Sequence, residues 1–507
     1  MLNRAVLIST FLIFLCWTSA ANAYKGTATV ALPDDPLSMD PHITSSTIGW
    51  MIWRWPYDTL LSSDPRTGKV SPWLAERWEK LGPKQYKFWL RRGVRFADGT
   101  PFTTAAVKYS MERILDPKLK GRQLAYWADF ERFEIIDEYA FIAHLKSPDN
   151  GFLRRLSERF LIISPKVKDA PATAPARESF GSGPYVLKSW TKSIRMVFEA
   201  NPTWWGNSLY PDRPKTVVLR TIKESTTRVK ALLVGEVDAI MRVAAQEVPE
   251  IKRNPQTTVG VVPGLRIFYL SFANRFGGPF ADEKIRLAAN YAIDADSIIK
   301  TIVGGLGTPI GQLYHPWAYS GHNPGKKWHG YDPAKAKALM KESSHPNGFK
   351  ASLITTTGTY PFDRASGEAV AGMLKQIGIE TSVQAVPFPM YRKLFTAYQT
   401  DRKDPAMFFR GWGQTMDAAY VWRGTSSCAG IWSVSCFKDL DDWNEKAAGI
   451  DAPKEQQAAF EKLTDMMKER AVHKVFFQMV DAWGYRKNLE LSPRPDENLF
   501  PWEIRMK

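Results

Sequence analysis

Tyr57-Asp58-Thr59-Leu60-Leu61, Ser71-Pro72-Trp73-Leu74-Ala75-Glu76-Arg77-Trp78, Tyr86-Lys87-Phe88-Trp89-Leu90 and Val107-Lys108-Tyr109-Ser110-Met111-Glu112-Arg113-Ile114-Leu115 follow one another in residues 57–115. The order reads as strand, turn, strand, turn, helix. Tyr86 to Leu90 is an aromatic-rich run bounded by Gly82-Pro83 and Gly93, which suits a strand, and Val94-Arg95-Phe96 continues as a second extended piece. Asp98-Gly99-Thr100-Pro101 is a turn: Asp accepts local backbone bonds, Gly supplies positive φ, and Pro keeps Thr100 extended. Thr103 or Thr104 then caps a helix whose Val107, Met111, Ile114 and Leu115 share one face. None of these residues is a reactive group, so the stretch by itself is scaffold.

Its pattern is L-A-E-x-W, Y-x-F-x-L-R-x-G-V-x-F-x-D-G-x-P, then V-x-x-S-x-E-R. That order resembles the signature of the peptide-binding (family 5, cluster C) extracytoplasmic solute-binding proteins of ABC importers, which include dipeptide, oligopeptide, nickel and opine binders. Further matches follow in the family's order: Ser38-Met39-Asp40-Pro41, Gly181-Ser182-Gly183-Pro184-Tyr185, Asn201-Pro202-Thr203-Trp204-Trp205-Gly206, Gly235-Glu236-Val237-Asp238, Ile285 to Asp294 and Tyr331-Asp332-Pro333-Ala334-Lys335-Ala336. The resemblance covers nearly all of the chain after its N-terminal leader. It implies an α/β, periplasmic binding protein-like type II fold, two lobes joined by a hinge, with an extra small domain. The expected division is residues 24–56, 178–264 and 485–507 for domain I, 57–177 for domain II and 265–484 for domain III.

Composition agrees with that scale. A chain of 507 residues is too long for one core, so two or three domains are expected. The formal net charge is +16, but the basic residues are spread, with no Lys/Arg block, zinc-finger spacing or RNP-like motif. Nucleic-acid binding is therefore not expected. The charge instead favours solubility or anionic surfaces and ligands. At the N-terminus Arg4 precedes an apolar run, Ala5 to Trp17, too short to span a bilayer comfortably, and Ala21-Asn22-Ala23 is a small-residue cleavage site. Residues 1–23 read as a cleavable signal peptide, and the mature protein is expected in the periplasm. Two cysteines then remain, Cys428 and Cys436. An oxidising compartment favours one disulfide closing a short loop, with two buried thiols as the alternative.

No catalytic constellation stands out. G-S-G-P lacks the Lys-Ser/Thr of a P-loop and the spacing of a hydrolase elbow. The seven His residues give no metal spacing, and neither metal nor cofactor is expected. What the resemblance implies instead is a cleft that buries a small ligand on closure, delivery to an inner-membrane ABC permease, and a monomer. Thr44 and Ser45, just after the Ser38–Pro41 motif, either face the ligand or cap the helix that follows. Arg364 and Arg410 are candidates for a ligand carboxylate or phosphate, because a guanidinium fork bonds both oxygens, or else for ordinary salt bridges. Tyr269, Trp412, Tyr420 and Trp422 are candidate cleft walls or core. In peptide-binding members the Asp of a W-x-x-D loop meets the ligand's α-amino group. Counted from Trp412 that position is Thr415, and the nearest carboxylate is Asp417. The departure opens the ligand class beyond peptides to opines, sugar conjugates and nickel chelates. Two other classes stay in view: an exported hydrolase, and a chaperone or sensory partner.

Overall fold

Asp58, inside the opening stretch, is 2% exposed and gathers distant parts of the chain. Its carboxylate accepts from Trp73 Nε1 (2.7 Å), Ser182 Oγ (3.0 Å) and Trp205 Nε1 (3.2 Å). Burial pushes the carboxyl up to about 6 while these donors pull it back. The G-S-G-P turn and the tandem tryptophans are thereby tied to the start of the signature. The computed structural model describes residues 26–44, 46–127, 129–316, 320–413 and 417–507, and the leader, residues 1–23, lies outside them.

The signature builds a small antiparallel sheet. Ala75–Gly82, Gln85–Leu90, Ala140–Leu145 and Phe130–Asp137 lie side by side in that order. Phe88 stacks on Phe141 across it at 5.1 Å, the kind of cross-strand aromatic pair that fixes register. Val94 to Phe96 is not a strand. Arg95 makes only a single bridge to Pro101, closing the turn in which Thr100 N donates to Asp98 Oδ1 at 2.8 Å and Gly99 has φ +84°. The helix runs Thr104–Leu115 from Thr103, whose hydroxyl makes no capping bond, and Thr104 Oγ1 donates to Asp137 O at 3.0 Å. Two later helices start on Asp caps: Asp282 Oδ1 accepts from Lys284 N and Asp332 Oδ1 from Lys335 N.

Two short strand pairs aside, the other strands among the described residues form one mixed sheet of eleven with helices against it. One half carries Ile379–Val386, Phe349–Thr356 and Ala406–Trp412, all parallel, as an α/β layer requires. The other half carries Thr27–Leu32 between Thr216–Thr221 and Ala239–Ile240, all parallel, then Arg195–Ala200 and Tyr185–Thr191. Two long strands, Thr257–Phe272 and His473–Arg486, pair antiparallel and join the halves, with a register shift between Pro263 and Ile267. The α/β two-lobe plan follows, because only these strands carry the sheet from one lobe to the other. Cys428 and Cys436 are disulfide-bonded.

A buried ion triad sits where the long strands meet the C-terminal tail. Glu497 is 1% exposed and accepts from Arg266 Nε at 2.5 Å and Arg242 Nη2 at 3.0 Å. Arg242 also donates to Thr359 O (2.7 Å) and Tyr360 Oη (3.2 Å), and Arg266 to Gly411 O (2.9 Å) and Thr47 Oγ1 (2.8 Å). Arg242 and Glu497 both hold left-handed backbone, φ +56° and +57°, which non-glycine residues keep only when surroundings fix them. Removing one partner of such a cluster leaves buried charge uncompensated. Glu497→Gln is expected to cost ~3–5 kcal/mol, read by urea denaturation, and a loss below about 1 kcal/mol would show that the triad does not hold the lobes.

Candidate functional site

Beside the triad lies a partly open cavity walled by all three parts of the chain. The helix Thr47–Trp53 contributes Thr47 and Trp50, the chain around the small sheet contributes Tyr126 and Arg159, and the long strand contributes Arg266 and Phe268. Asp363, Tyr391, Phe409, Arg410, Trp412 and Trp432 complete it from the far lobe. The helix starts where it does because Ser46 Oγ accepts from Gly49 N at 3.0 Å, which aims Trp50 from its first turns toward the wall.

Its polar groups divide into two kinds. Some are satisfied. Arg266 is spent on Glu497, Gly411 and Thr47. Asp363 Oδ2 accepts from Thr356 Oγ1 and from Tyr360 N (3.0 Å). Burial pushes the Asp363 carboxyl up to about 7, against those bonds and the nearby Arg242 and Arg266. Arg159 lies over the Trp50 ring at 4.4 Å and the Tyr420 ring at 5.4 Å.

Others are not. Arg410 is 7% exposed, and its Nη1 donates to Trp432 O at 2.7 Å. Its guanidinium lies 4.7 Å from the Trp432 ring centre, 5.0 Å from Phe395 and 5.3 Å from Tyr269. No carboxylate pairs with it among the described residues. Trp412 Nε1 and Tyr391 Oη are buried without a hydrogen-bond partner among the described residues. Burial raises the Tyr391 phenol above its usual range, so it stays protonated.

A second chamber shares Trp50 and Arg159 with the first. There Arg494 pairs with Asp496 (2.9 Å) and Glu503 (3.0 Å). Arg54 donates to Thr59 Oγ1 (2.8 Å) and Ser157 O (2.9 Å), and its Nε is buried without a partner among the described residues. The first chamber is the stronger candidate site, because the far lobe walls it and does not wall the second.

Of the candidates read from sequence, Arg410 and Trp412 stand in the cavity wall. Ser45 and Thr415 lie outside the described residues. Thr44 is buried behind the wall, its carbonyl accepting from Gln123 Nε2 at 2.7 Å, and the capping role belongs to Ser46. Arg364 points into solvent and pairs with Glu368 one turn on at 2.8 Å, so it is the neighbouring Asp363 that reaches the cavity. Tyr269 is packed in the core beside Arg410, 5.3 Å from its guanidinium and outside the cavity wall, where burial raises its phenol to about 12. Trp422 is core, its Nε1 donating to Asp441 Oδ1 at 2.8 Å. Tyr420 stacks on Tyr126 at 4.5 Å behind Trp412.

Asp417 also lies away from this cavity. It caps the helix Ala418–Thr425 by accepting from Tyr420 N at 3.1 Å, and it sits against Gly151, where any Cβ would collide with its carboxylate. Burial and neighbouring Asp149 raise its carboxyl above the usual range, while Arg155 and Arg423 oppose the shift. It belongs to a latch between the small-sheet unit and the far lobe. There Arg423 pairs with Asp149 at 2.6 Å, Lys80 with Asp451 at 2.6 Å, and Arg122 Nη2 donates to Thr396 Oγ1 at 2.9 Å. The sequence reading missed Trp50, Tyr126, Arg159, Arg266, Tyr391 and Trp432, which converge from separate elements. Among the described residues no cluster of three or more metal-ligating side chains occurs, and no helix is long and apolar enough to cross a membrane.

Known proteins match this architecture. The profile of bacterial extracellular solute-binding proteins, family 5 Middle, matches residues 69–432. The glutathione-binding protein GsiB of Escherichia coli (strain K12) is 24% identical over 486 residues, covering 92% of this chain and 91% of its own. Among solved structures, AgaA of A. tumefaciens R10 in complex with agropinic acid superposes with TM-score 0.85 at 24% identity, over 95% of this chain and 99% of that one. DppA of Helicobacter pylori in complex with the peptide STSA gives TM-score 0.85 at 24% identity, over 96% and 99%.

Below Arg410, His473 is fully buried, its Nε2 2.8 Å from Ser426 Oγ. Burial and the nearby Arg410 lower its pKa to about 3. The unfolded chain binds this proton near pH 6.5, so the stability from neutral His473 is present above that pH and lost as pH falls toward 3. From pH 7.5 to 4.5 the stability of the protein relative to His473→Gln is expected to fall by about 2–3 kcal/mol. Denaturation curves at the two pH values measure it, and an unchanged gap would contradict the assignment.

Proposed function

Since the chain belongs to the bacterial extracellular solute-binding proteins of family 5, we propose that it captures a peptide or peptide-like small solute in the interlobe cavity and delivers it to an inner-membrane ABC permease. Under this reading the protein is not an enzyme: it buries its solute and releases it unaltered. Residues 1–23 act as a cleavable signal peptide that places it in the periplasm as a monomer. Residues 24–56, 178–264 and 485–507 form domain I, 57–177 domain II and 265–484 domain III.

The observation that carries this reading is a cavity wall assembled from every part of the chain. Such a wall exists only while the lobes are together, so a ligand filling it stabilises the closed form. The aromatic faces of Trp50, Trp412 and Trp432 give a solute apolar contact area without fixing its side-chain chemistry. Opines are included among the peptide-like candidates because the W-x-x-D carboxylate position is Thr415 here. Relatives named for glutathione and structures holding agropinic acid or the peptide STSA lend support to both.

Thermal denaturation against di- to pentapeptides, glutathione, opines, sugar phosphates and nickel chelates tests the proposal. A true ligand at about 100 times its Kd adds about 2.7 kcal/mol and raises the midpoint by a few degrees. Trp412→Ala is expected to weaken that ligand at least tenfold, and solvent-facing Arg364→Ala to leave it within about twofold. Turnover of a panel compound, or equal loss in both variants, would contradict the proposal.

A further inference from the structure

Three groups that can donate meet in the cavity wall without a carboxylate to receive them among the described residues, and they bear on the ligand's chemistry. Arg410 is a buried guanidinium whose protein acceptor is the Trp432 carbonyl, with no carboxylate paired to it among the described residues. Trp412 Nε1 offers a second donor and Tyr391 Oη a third, both buried and without a partner among the described residues. Arg410 is close enough to Tyr391 to act on its phenol electrostatically. Burying such donors without acceptors is costly, so the bound state is favoured by whatever supplies the acceptors.

The converse demand, an acid waiting for a ligand cation, is poorly met. Asp417 is withdrawn into the latch with Asp149, Arg155 and Arg423, outside the cavity. Glu497 is used by Arg242 and Arg266. Asp363 does reach the cavity, but its Oδ2 takes two internal donors and the nearby cations Arg242 and Arg266 already act on it. Three guanidinium groups, from Arg159, Arg266 and Arg410, line the cavity against this one carboxyl.

We infer that the solute is an acceptor-rich carboxylate whose amine is absent, acylated or otherwise not used for binding, and that Arg410, Trp412 and Tyr391 receive its carboxylate. This deepens the binding-protein reading and rests on it. An α-ammonium is then tolerated at most, rather than required, in contrast to a site anchored by a loop carboxylate.

The test uses the full mature protein and four probe pools: a casein peptide digest, the same digest N-acetylated, the same digest with its carboxyls amidated, and a set of opine-type N-substituted amino dicarboxylates. After gel filtration, retained solutes are released by denaturation and identified by mass spectrometry. Retention of the acetylated digest or the opine set at or above the untreated digest is expected, with at least a tenfold drop on amidation. Arg410→Gln should lose that retention, while solvent-facing Arg364→Ala keeps it within about threefold. The inference is overturned if acetylation abolishes retention while amidation does not, or if Asp363→Asn rather than Arg410→Gln removes it. If Arg410→Gln does not fold, the acetylated and amidated pools on the unsubstituted protein decide alone. Retention from none of the pools overturns both this inference and the binding-protein reading, whereas retention that requires a free amine overturns this inference only.

Discussion

Two arginines share one buried glutamate at the junction of the lobes, and the site is built outward from that arrangement. Arg266 leaves the long strand, bonds Glu497 of the tail, and spends its remaining donors on Thr47 in one lobe and Gly411 in the other. Arg242 reaches Thr359 and Tyr360 in the far lobe while holding the same glutamate. Buried ion clusters of this sort add little net stability over apolar packing, but they are intolerant of change because each member leaves a charge behind. Their value here is geometric. They fix the segment around Tyr360 and Asp363, the start of the helix that carries Trp50, and the strand that carries Arg410 and Trp412, so the wall has one shape.

Charge is distributed with a contrast that explains the site. The latch on the far side of Trp412 is paired: Asp149 takes both Arg155 and Arg423, and although burial raises its carboxyl, those two cations hold it well below the usual range. In the second chamber Arg494 is matched by Asp496 and Glu503. Arg410, by contrast, has no carboxylate partner among the described residues and stands in the cavity wall with the unpartnered Trp412 Nε1 and Tyr391 Oη. A binding protein gains from this, because the free closed state carries unsatisfied donors that the ligand then satisfies, coupling closure to capture. Aromatic rings around the guanidinium lessen the cost of holding it unpaired until then.

Much of the scaffold could be read from the chain, because its signals are local. The Asp98-Gly99 turn, the Asp282 and Asp332 caps, and the hairpin at Asp137 each depend on a few consecutive residues. The glycine after Lys375-Gln376-Ile377 ends its helix with φ +86°, as its position implies. The site was only partly legible. Arg410 and Trp412 lie beside a recognisable loop, and both reach the cavity. Arg364 was one residue from the right position: the loop at Tyr360 does approach the cavity, but helical geometry turns Arg364 outward and Asp363 inward. Glu497 and Tyr391 carry no local mark. Glu497 is one acid in a proline-rich tail and Tyr391 one aromatic on a helix with several, and only the fold makes them neighbours of Arg266 and Arg410. Asp417 shows the opposite error, a carboxylate near the expected loop that tertiary packing assigns to a helix cap.

In the proposed mechanism two lobes joined by the strands Thr257–Phe272 and His473–Arg486 close on an anionic solute and leave it unaltered. Small-angle X-ray scattering of the mature protein, free and saturated with a retained solute recovered intact afterwards, tests it most directly. A smaller radius of gyration is expected in the saturated protein, returning to the free value when the solute is dialysed away. An unchanged radius at saturation, or a solute recovered chemically altered, would contradict it.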